Sequence, residues 1–301
     1  MARIPKALLI DLSGTLHVGS QPTPNARDAL RRLRDAGIVL RFVSNTSKES
    51  RSALLAKMQE MQLDVREEEA SVPNLDLGYA QALTNIDGWD LQLFTSLSAV
   101  RDLVAECRLR PFYLLSNSAR EDFPSSRPPF DSVVVGLAPT AFEYDKLNEA
   151  FRLLAGEEDG LVKGQVPLIV THKAKFVQAD DGKLSLGPGP FVTALEEAAS
   201  CTAEIVGKPS QGFYRLALDS FASSGIQHRD VAMIGDDVYQ DCGPAVARLG
   251  LQRFLVKTGK YRPGDEDRLS DSSNLDGNGG APRPDLVCET FADAVDLLLD
   301  G

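Results

Sequence analysis

Four groups of polar residues adjoin short apolar segments of the sequence, and their side chains could act together on one ligand. They are Asp11 with Ser13, Ser44 with Asn45, Lys208, and Asp236 with Asp237 and Asp241. Carboxylates that lie close together repel one another unless a cation neutralises them, and one lysine is not enough for this set. Hard oxygen ligands favour Mg²⁺, which takes one or two carboxylates together with substrate phosphate. The residue types therefore predict a magnesium-dependent phosphate site.

Each remaining group has a use in chemistry at phosphorus. Asp11 can act as a nucleophile, and Lys208 can stabilise a phosphoryl group during transfer. The Ser44 hydroxyl and the Asn45 backbone N–H can donate to phosphate oxygens. A single aspartate after a strand is more commonly a helix cap. Only the combination of groups favours catalysis.

The elements that would position these groups alternate between strand and helix. Residues 6–10 and 38–43 are predicted strands, and residues 24–36 and 49–61 have the apolar spacing of helices. Such β-α-β-α order predicts a parallel sheet with right-handed crossovers. The carboxyl ends of its strands face one crevice, where ligands bind in doubly wound folds.

The same alternation returns towards the C-terminus, with predicted strands at 203–206 and 230–234 and helices at 191–199 and 212–221. Between the two halves, strand-like and helical patterns predict a separate α+β insertion. We therefore expect an α/β fold, a doubly wound, Rossmann-like parallel sheet with an inserted cap domain. The predicted limits are 1–97 and 187–301 for the core and 98–186 for the cap. Residues 70–92 show no clear period and are predicted to be an insertion within the core.

Four short motifs carry a resemblance that covers nearly the whole chain. They are DLSGTL from Asp11, SNT from Ser44, GKPS from Gly207 and GDD from Gly235, the last followed by Asp241. In order and context they resemble the four motifs of haloacid dehalogenase-superfamily phosphatases, in the branch with a large α/β cap between the second and third motifs. The resemblance implies hydrolysis of phosphate esters, phosphoramidates or pyrophosphate through an aspartyl-phosphate, with Mg²⁺ as cofactor.

The resemblance also implies residue roles. The implied catalytic residues are Asp11, Ser13 and Lys208. The implied Mg²⁺ ligands are Asp11, Ser13 through its carbonyl, Asp236 and Asp241. The implied substrate-binding residues are Ser44, Asn45, Lys208 and Thr15. Asp241 holds Lys208 or a metal-bound water in this reading, and Asp237 either shares that role or is a solvated loop carboxylate.

Ser13 departs from the family pattern, in which an aspartate two residues after the nucleophile protonates the leaving group. A backbone carbonyl can still bind metal there, but a hydroxyl without a pKa near neutrality is a poor general acid. A catalytically weak phosphate-binding or regulatory protein of the same fold is therefore the alternative. A signalling receiver is disfavoured, because there the acidic pair comes first and the phosphorylated aspartate follows.

Composition excludes several classes of protein and partner. A composition of 43% hydrophobic and 25% charged residues is typical of an ordinary globular protein. Its 32 basic and 43 acidic residues give a net charge of −11, which repels a nucleic-acid backbone. The first apolar run is too short for a signal peptide or a membrane span, so we expect a cytoplasmic protein. The expected partner is a small phosphorylated substrate or a phospho-amino-acid side chain, and a homodimer stays open.

Overall fold

The computed structural model describes residues 4–65, 93–178, 183–221, 224–269 and 280–300. The predicted insertion at 70–92 lies outside the described residues. In the part that is described, none of the helices is long and apolar enough to cross a membrane.

The described elements follow one another in alternation. The strands are β1 (Ala7–Asp11), β2 (His17–Val18), β3 (Gln21–Pro22), β4 (Val39–Ser44), β5 (Leu93–Thr95), β6 (Pro111–Leu114), β7 (Ser132–Val135), β8 (Leu168–Val170), β9 (Phe176–Gln178), β10 (Leu184–Leu186), β11 (Glu204–Ile205), β12 (Val231–Gly235), β13 (Gln252–Val256) and β14 (Leu286–Cys288). The α-helices are α1 (Ala26–Asp35), α2 (Arg51–Glu60), α3 (Ser96–Glu106), α4 (Asn117–Arg120), α5 (Tyr144–Ala155), α6 (Gly189–Ala199), α7 (Gln211–Asp219), α8 (Pro244–Arg248), α9 (Asp265–Arg268) and α10 (Phe291–Leu299).

The chain forms two compact units. The first comprises Met1–Val43, Lys57–Phe94 and Tyr214–Gly301, and the second comprises Ser44–Ala56 and Thr95–Phe213. We call them the six-stranded unit and the four-stranded unit after their main sheets.

The main sheet of the six-stranded unit has the strand order β14-β13-β12-β1-β4-β5. β1 pairs in parallel with β12 on one side and with β4 on the other, so that Ile10 faces Ile234 and Asp11 faces Val43. All five residues of β1 are buried, as expected for a parallel strand covered on both faces. The order reverses at β1, which makes the sheet doubly wound as predicted. The carboxyl ends of β1 and β12 therefore lie side by side.

Helix α1 shows how local sequence forms these elements. Ala26, Ala29, Leu30 and Leu33 recur at helical spacing and are buried on one face. The helix ends before Gly37, whose φ of +74° is in the left-handed region that glycine adopts without strain. This helix returns the chain from the carboxyl end of β1 to the start of β4.

The four-stranded unit has a parallel sheet of order β11-β8-β7-β6 and a separate antiparallel pair, β9 with β10. Its core packs strand residues such as Val133, Val135 and Val170 against Leu153 of α5 and Leu195 of α6. The sheet includes Glu204–Ile205, which lie beyond residue 186, the predicted end of the cap. The exact limits of the cap stay a prediction.

Candidate active site

Asp11 is the last residue of β1 and is buried at the start of a tight turn. The Leu12 carbonyl accepts from the backbone N–H of Leu16 at 2.9 Å, which closes the turn. The Thr15 hydroxyl donates to Asp11 Oδ2 at 3.3 Å, and Thr15 itself is fully buried. Thr15 thus orients the carboxylate of Asp11 from inside the protein.

Three buried carboxylates meet where β1 and β12 end. Asp11, Asp236 and Asp241 each offer an oxygen, and these oxygens all lie within 4.8 Å of one another. Asp236 directly follows β12, while Asp241 comes from the turn beyond it, where its Oδ2 accepts from the backbone N–H of Asp237 at 3.1 Å. We call these three residues the carboxylate cluster.

Glycines make room for the carboxylate cluster. A Cβ added to Gly14 would lie 2.0 Å from Asp236 Oδ2, and one added to Gly259 would lie 2.1 Å from the same oxygen. A Cβ added to Gly235 would lie 2.2 Å from Asp241 Oδ2. Since these distances are well below van der Waals contact, the cluster packs directly against the backbone.

Lys260 is a residue of this region that the sequence analysis missed. Its backbone N–H donates to Asp236 Oδ2 at 2.6 Å, and its Nζ lies 3.3 Å from Asp237 Oδ2. The Thr258 hydroxyl donates to the Gly14 carbonyl, so this loop also contacts the turn after β1. The two residues belong to the segment after β13, to which the sequence analysis assigned no part of the site.

Burial and neighbouring charges shift the pKa values of Asp236 and Lys260. Burial raises the pKa of Asp236 well above its ordinary range, Lys260 lowers it in part, and the negative charges of Asp11 and Asp241 raise it further. Burial lowers the pKa of Lys260, but Asp237, Asp236 and Asp11 outweigh that effect and the net direction is upward. Lys260 therefore carries a positive charge beside the carboxylates.

The donor set of the cluster fits a hard divalent cation. Asp236 Oδ1 is buried and has no hydrogen-bond partner among the residues that the structure describes. A buried carboxylate oxygen without a partner is costly, and a metal ion bound to it would remove that cost. Three carboxylate oxygens at this spacing are of the kind that bind Mg²⁺. The residues present therefore fit the predicted metal.

Asp237 and Ser13 are not members of the carboxylate cluster. Asp237 Oδ1 accepts from the backbone N–H groups of Tyr239 and Gln240, each at 3.1 Å, and so caps the turn that leads to Asp241. Ser13 is exposed and is joined to the buried His17 by an isolated β-bridge. Asp237 is thus a structural residue of the turn as well as a partner of Lys260.

The predicted phosphate-binding residues begin at the end of β4. Ser44 is the last residue of that strand, and its hydroxyl donates to Thr46 Oγ1 at 3.0 Å while accepting from the Thr46 N–H at 3.1 Å. Asn45 contacts Lys208 within the four-stranded unit: its Nδ2 donates to the Lys208 carbonyl and its Oδ1 accepts from the Lys208 N–H, both at 2.9 Å. The structure thus brings together Asn45 and Lys208, whose side chain is 1% exposed.

Comparisons with known proteins agree with this fold. The family model described as haloacid dehalogenase-like hydrolase matches residues 8–75, and a second one, for HAD-like hydrolases, matches residues 205–294. Haloacid dehalogenase-like hydrolase domain-containing protein 2 from Bos taurus is 41% identical over 300 residues, covering 99% of this chain and 97% of the relative. Phospholysine phosphohistidine inorganic pyrophosphate phosphatase from Homo sapiens is 30% identical over 301 residues, covering 98% and 94%.

Solved structures share the fold at lower identity. The p-nitrophenyl phosphatase from Archaeoglobus fulgidus has a TM-score of 0.73 at 21% identity, covering 98% of this chain and all of that one. A glycerol phosphate phosphatase from Mycobacterium tuberculosis, solved in complex with magnesium, has a TM-score of 0.67 at 20% identity, covering 98% and 77%.

This chain belongs to the haloacid dehalogenase-like hydrolase family. It is a hydrolytic enzyme of the phosphatase type, and the α/β fold predicted with it is confirmed.

Proposed function

We propose that the protein is a Mg²⁺-dependent phosphatase that works through an aspartyl-phosphate on Asp11. The observation that carries the proposal is the buried carboxylate cluster, in which one Asp236 oxygen has no hydrogen-bond partner among the described residues. A buried set of like charges is unfavourable unless a cation completes it. The family membership supports the same chemistry.

The metal would be held by Asp11, Asp236 and Asp241, together with the backbone carbonyl of Ser13. Bound there, Mg²⁺ supplies positive charge that neutralises the carboxylates and the phosphate oxygens. The Thr15 hydroxyl, which donates to Asp11 Oδ2, fixes the orientation of the nucleophile.

In the proposed reaction the second carboxylate oxygen of Asp11 attacks phosphorus. A bond forms between that oxygen and phosphorus while the bond from phosphorus to the leaving group breaks. The role that the family resemblance implies for Ser44, the Asn45 backbone N–H and Lys208 is to bind the phosphoryl oxygens, which carry negative charge. Water then hydrolyses the aspartyl-phosphate and releases inorganic phosphate.

The substrates proposed are small phosphorylated molecules or phosphorylated amino-acid side chains. The name of the human relative includes phospholysine, phosphohistidine and pyrophosphate, and the protein from Archaeoglobus fulgidus is named a p-nitrophenyl phosphatase. We therefore propose phosphoramidates, pyrophosphate and aryl phosphates as the first compounds to test. The domain limits proposed are residues 1–97 and 187–301 for the core and 98–186 for the cap.

Replacing the nucleophile tests the mechanism. Asp11→Asn keeps the shape of the side chain but removes the nucleophile and a metal ligand, so we expect loss of p-nitrophenyl phosphate turnover by at least about 1,000-fold. The matched control is Asp35→Asn, the same change at an exposed position on α1, which should leave turnover unchanged. Chelation with EDTA should abolish wild-type activity and Mg²⁺ should restore it. An Asp11→Asn variant that keeps more than a few per cent of activity would overturn the aspartyl-phosphate mechanism.

The exposed Ser13 favours a second candidate function. Without a carboxylate at this position the protein could bind phosphate compounds while turning them over weakly. In that case the wild type would bind inorganic phosphate in the presence of Mg²⁺ by calorimetry, and p-nitrophenyl phosphate turnover would stay at the level of Asp11→Asn.

A further inference from the structure

We propose that Asn45 is a positioning residue whose side chain holds the backbone of Lys208, rather than a residue whose side chain binds substrate. The proposal deepens the proposed function and rests on it for the role of Lys208. It is carried by contacts that lie entirely within the four-stranded unit.

The carboxamide of Asn45 makes a two-point contact with one residue. Its Nδ2 donates to the Lys208 carbonyl and its Oδ1 accepts from the Lys208 N–H, both at 2.9 Å. A strand residue exchanges the same pair of hydrogen bonds with its neighbour in an antiparallel ladder. Asn45 thus acts on Lys208 as an adjacent strand would.

The backbone pairing that extends β11 along β8 ends at Gly207, and Asn45 provides the hydrogen bonds for the next residue, Lys208. Parallel pairing of β11 with β8 continues through the Val206 N–H, which donates to the Val170 carbonyl at 3.0 Å, and the Gly207 N–H, which donates to the Thr171 carbonyl at 2.9 Å. Lys208 is the next residue. Its backbone groups are buried with the rest of the residue, and buried backbone groups need partners. Asn45 supplies them.

Gly207 permits the close approach of Asn45. A Cβ at this position would lie 2.6 Å from Asn45 Oδ1 and 2.3 Å from the Thr171 carbonyl oxygen. Any other residue type would push the carboxamide away from the Lys208 backbone. Steric overlap with these two oxygens therefore explains why the residue before Lys208 is a glycine.

By holding the Lys208 backbone, Asn45 affects where the Lys208 ammonium group lies. The Lys208 residue is 1% exposed, so a small displacement of its backbone would move the charged end within a tightly packed environment. Catalytic groups lose much of their effect when they are misplaced by about an ångström. Since both polar atoms of the carboxamide hydrogen-bond to the Lys208 backbone, the proposal assigns the phosphate contact of Asn45 to its backbone N–H.

A double-mutant cycle separates positioning from direct binding. The variants are Asn45→Ala, Lys208→Met and the double variant, measured with p-nitrophenyl phosphate and Mg²⁺. We expect Asn45→Ala to lower kcat by about 10- to 100-fold with a smaller change in KM, and to have no further effect when Lys208 is already methionine. Independent, multiplicative effects of the two substitutions would mean that Asn45 contributes on its own and would overturn the proposal.

Chemical labelling of lysines gives a readout that does not depend on catalysis. Reductive methylation followed by mass spectrometry should label Lys208 slowly in the wild type, relative to the exposed Lys175. In Asn45→Ala the Lys208 rate should rise by at least about tenfold, because a local opening of one hydrogen-bonded loop is sufficient to expose it. The matched control is Asn117→Ala, the same change at an exposed residue of α4, which should alter neither labelling nor turnover.

The remaining outcomes are also decisive. If Asn45→Ala does not fold, the isosteric Asn45→Asp replaces it, since that variant keeps the acceptor and loses the donor to the Lys208 carbonyl. Unchanged Lys208 labelling in a folded variant would overturn the proposal. Absence of turnover by the wild type would instead contradict the proposed function, while the labelling would still decide whether Asn45 holds Lys208.

Discussion

Ser13 is the residue whose chemistry departs most from what a phosphatase of this family usually has. Its side chain is exposed, two residues after the proposed nucleophile, and it has no proton to give near neutral pH. A positioned general acid typically contributes about 100- to 10,000-fold. The contribution is largest when the leaving group is a basic alkoxide. The enzyme should therefore prefer leaving groups that depart without protonation or take a proton from water.

Ser13→Asp tests this account of the leaving group. The wild type should act faster on phosphohistidine, whose imidazole has a pKa of about 6.5, and on aryl phosphates than on alkyl phosphates. Ser13→Asp should raise kcat mainly for alkyl phosphates, by about tenfold or more. The measurement is kcat/KM against leaving-group pKa, with Ser20→Asp as the matched control at an exposed serine between β2 and β3.

A wild-type dependence no steeper than that of Ser13→Asp would point to another acid. His17 is the nearest candidate along the chain. Its Nδ1 contacts the Gly19 carbonyl at 2.8 Å, and because a carbonyl only accepts, this nitrogen carries the hydrogen. Protonation of the leaving group would then have to come from Nε2 of a doubly protonated ring.

The loops after β1, β12 and β13 hold the carboxylate cluster together, and their glycines decide whether it can form. Gly235 ends β12, and a methyl group there would overlap Asp241 Oδ2. Gly235→Ala should therefore displace the Asp241 carboxylate and weaken Mg²⁺ binding by at least about tenfold. Titration calorimetry with Mg²⁺ measures this without a substrate.

Gly212→Ala is the control for that substitution. Its added Cβ would lie 3.5 Å from Ser210 Oγ, an ordinary contact, at a position in α7. Mg²⁺ affinity should stay as in the wild type, with stability unchanged or raised by about 0.5 to 1 kcal/mol. Equal Mg²⁺ affinity in Gly235→Ala and the wild type would mean that Asp241 is not needed for the metal.

Strands and helices could be predicted from the sequence where their burial produces a recognisable pattern of apolar residues. The predicted strand at 6–10 is observed as Ala7–Asp11, and the predicted helix at 49–61 as Arg51–Glu60, because fully buried strands and amphipathic helices have continuous or periodic apolar residues. Leu184–Leu186 was not predicted, since the strand has only three residues and all of them are exposed. Short surface strands form through backbone pairing, which has little side-chain signature.

Some residues of the candidate site could likewise be predicted from the local sequence, whereas other contacts could not. Asp11 and Asp236 could be found because Asp11 ends an apolar strand and Asp236 directly follows one, which is a local signal. The contact from Lys260 to Asp236 could not, since it is made by a backbone N–H that every residue except proline has. The contact between Asn45 and Lys208 joins residues that are far apart in sequence, and only the fold brings them together.

At the scale of the whole molecule, buried negative charge should link metal binding to stability. The protein has a net charge of −11, and burial and neighbouring carboxylates raise the pKa of Asp236. A cation that binds only the folded form stabilises it by about 2.7 kcal/mol at 100 times Kd. At about 2 to 4 °C per kcal/mol for a chain of this size, millimolar Mg²⁺ should raise Tm by several degrees over EDTA.

Asp236→Asn should largely remove the difference in Tm between Mg²⁺ and EDTA. The amide removes one charge from the carboxylate cluster, so without metal the variant should melt at or above the wild-type temperature, and Mg²⁺ should shift its Tm little. Differential scanning calorimetry of both proteins, with Asp35→Asn as the exposed control, measures this. A Mg²⁺ shift in Asp236→Asn equal to that of the wild type would place the metal elsewhere.

The glycines around the cluster also have an evolutionary consequence. Gly14, Gly235 and Gly259 lie far apart in the sequence, yet each must lack a side chain for two carboxylates to keep their places. No amino acid offers a carboxylate on a shorter stem than aspartate, so a larger residue at any of the three cannot be compensated at Asp236 or Asp241. Homologues that keep Asp236 and Asp241 in these places should therefore keep glycine at all three positions, while substrate preference can diverge at other positions.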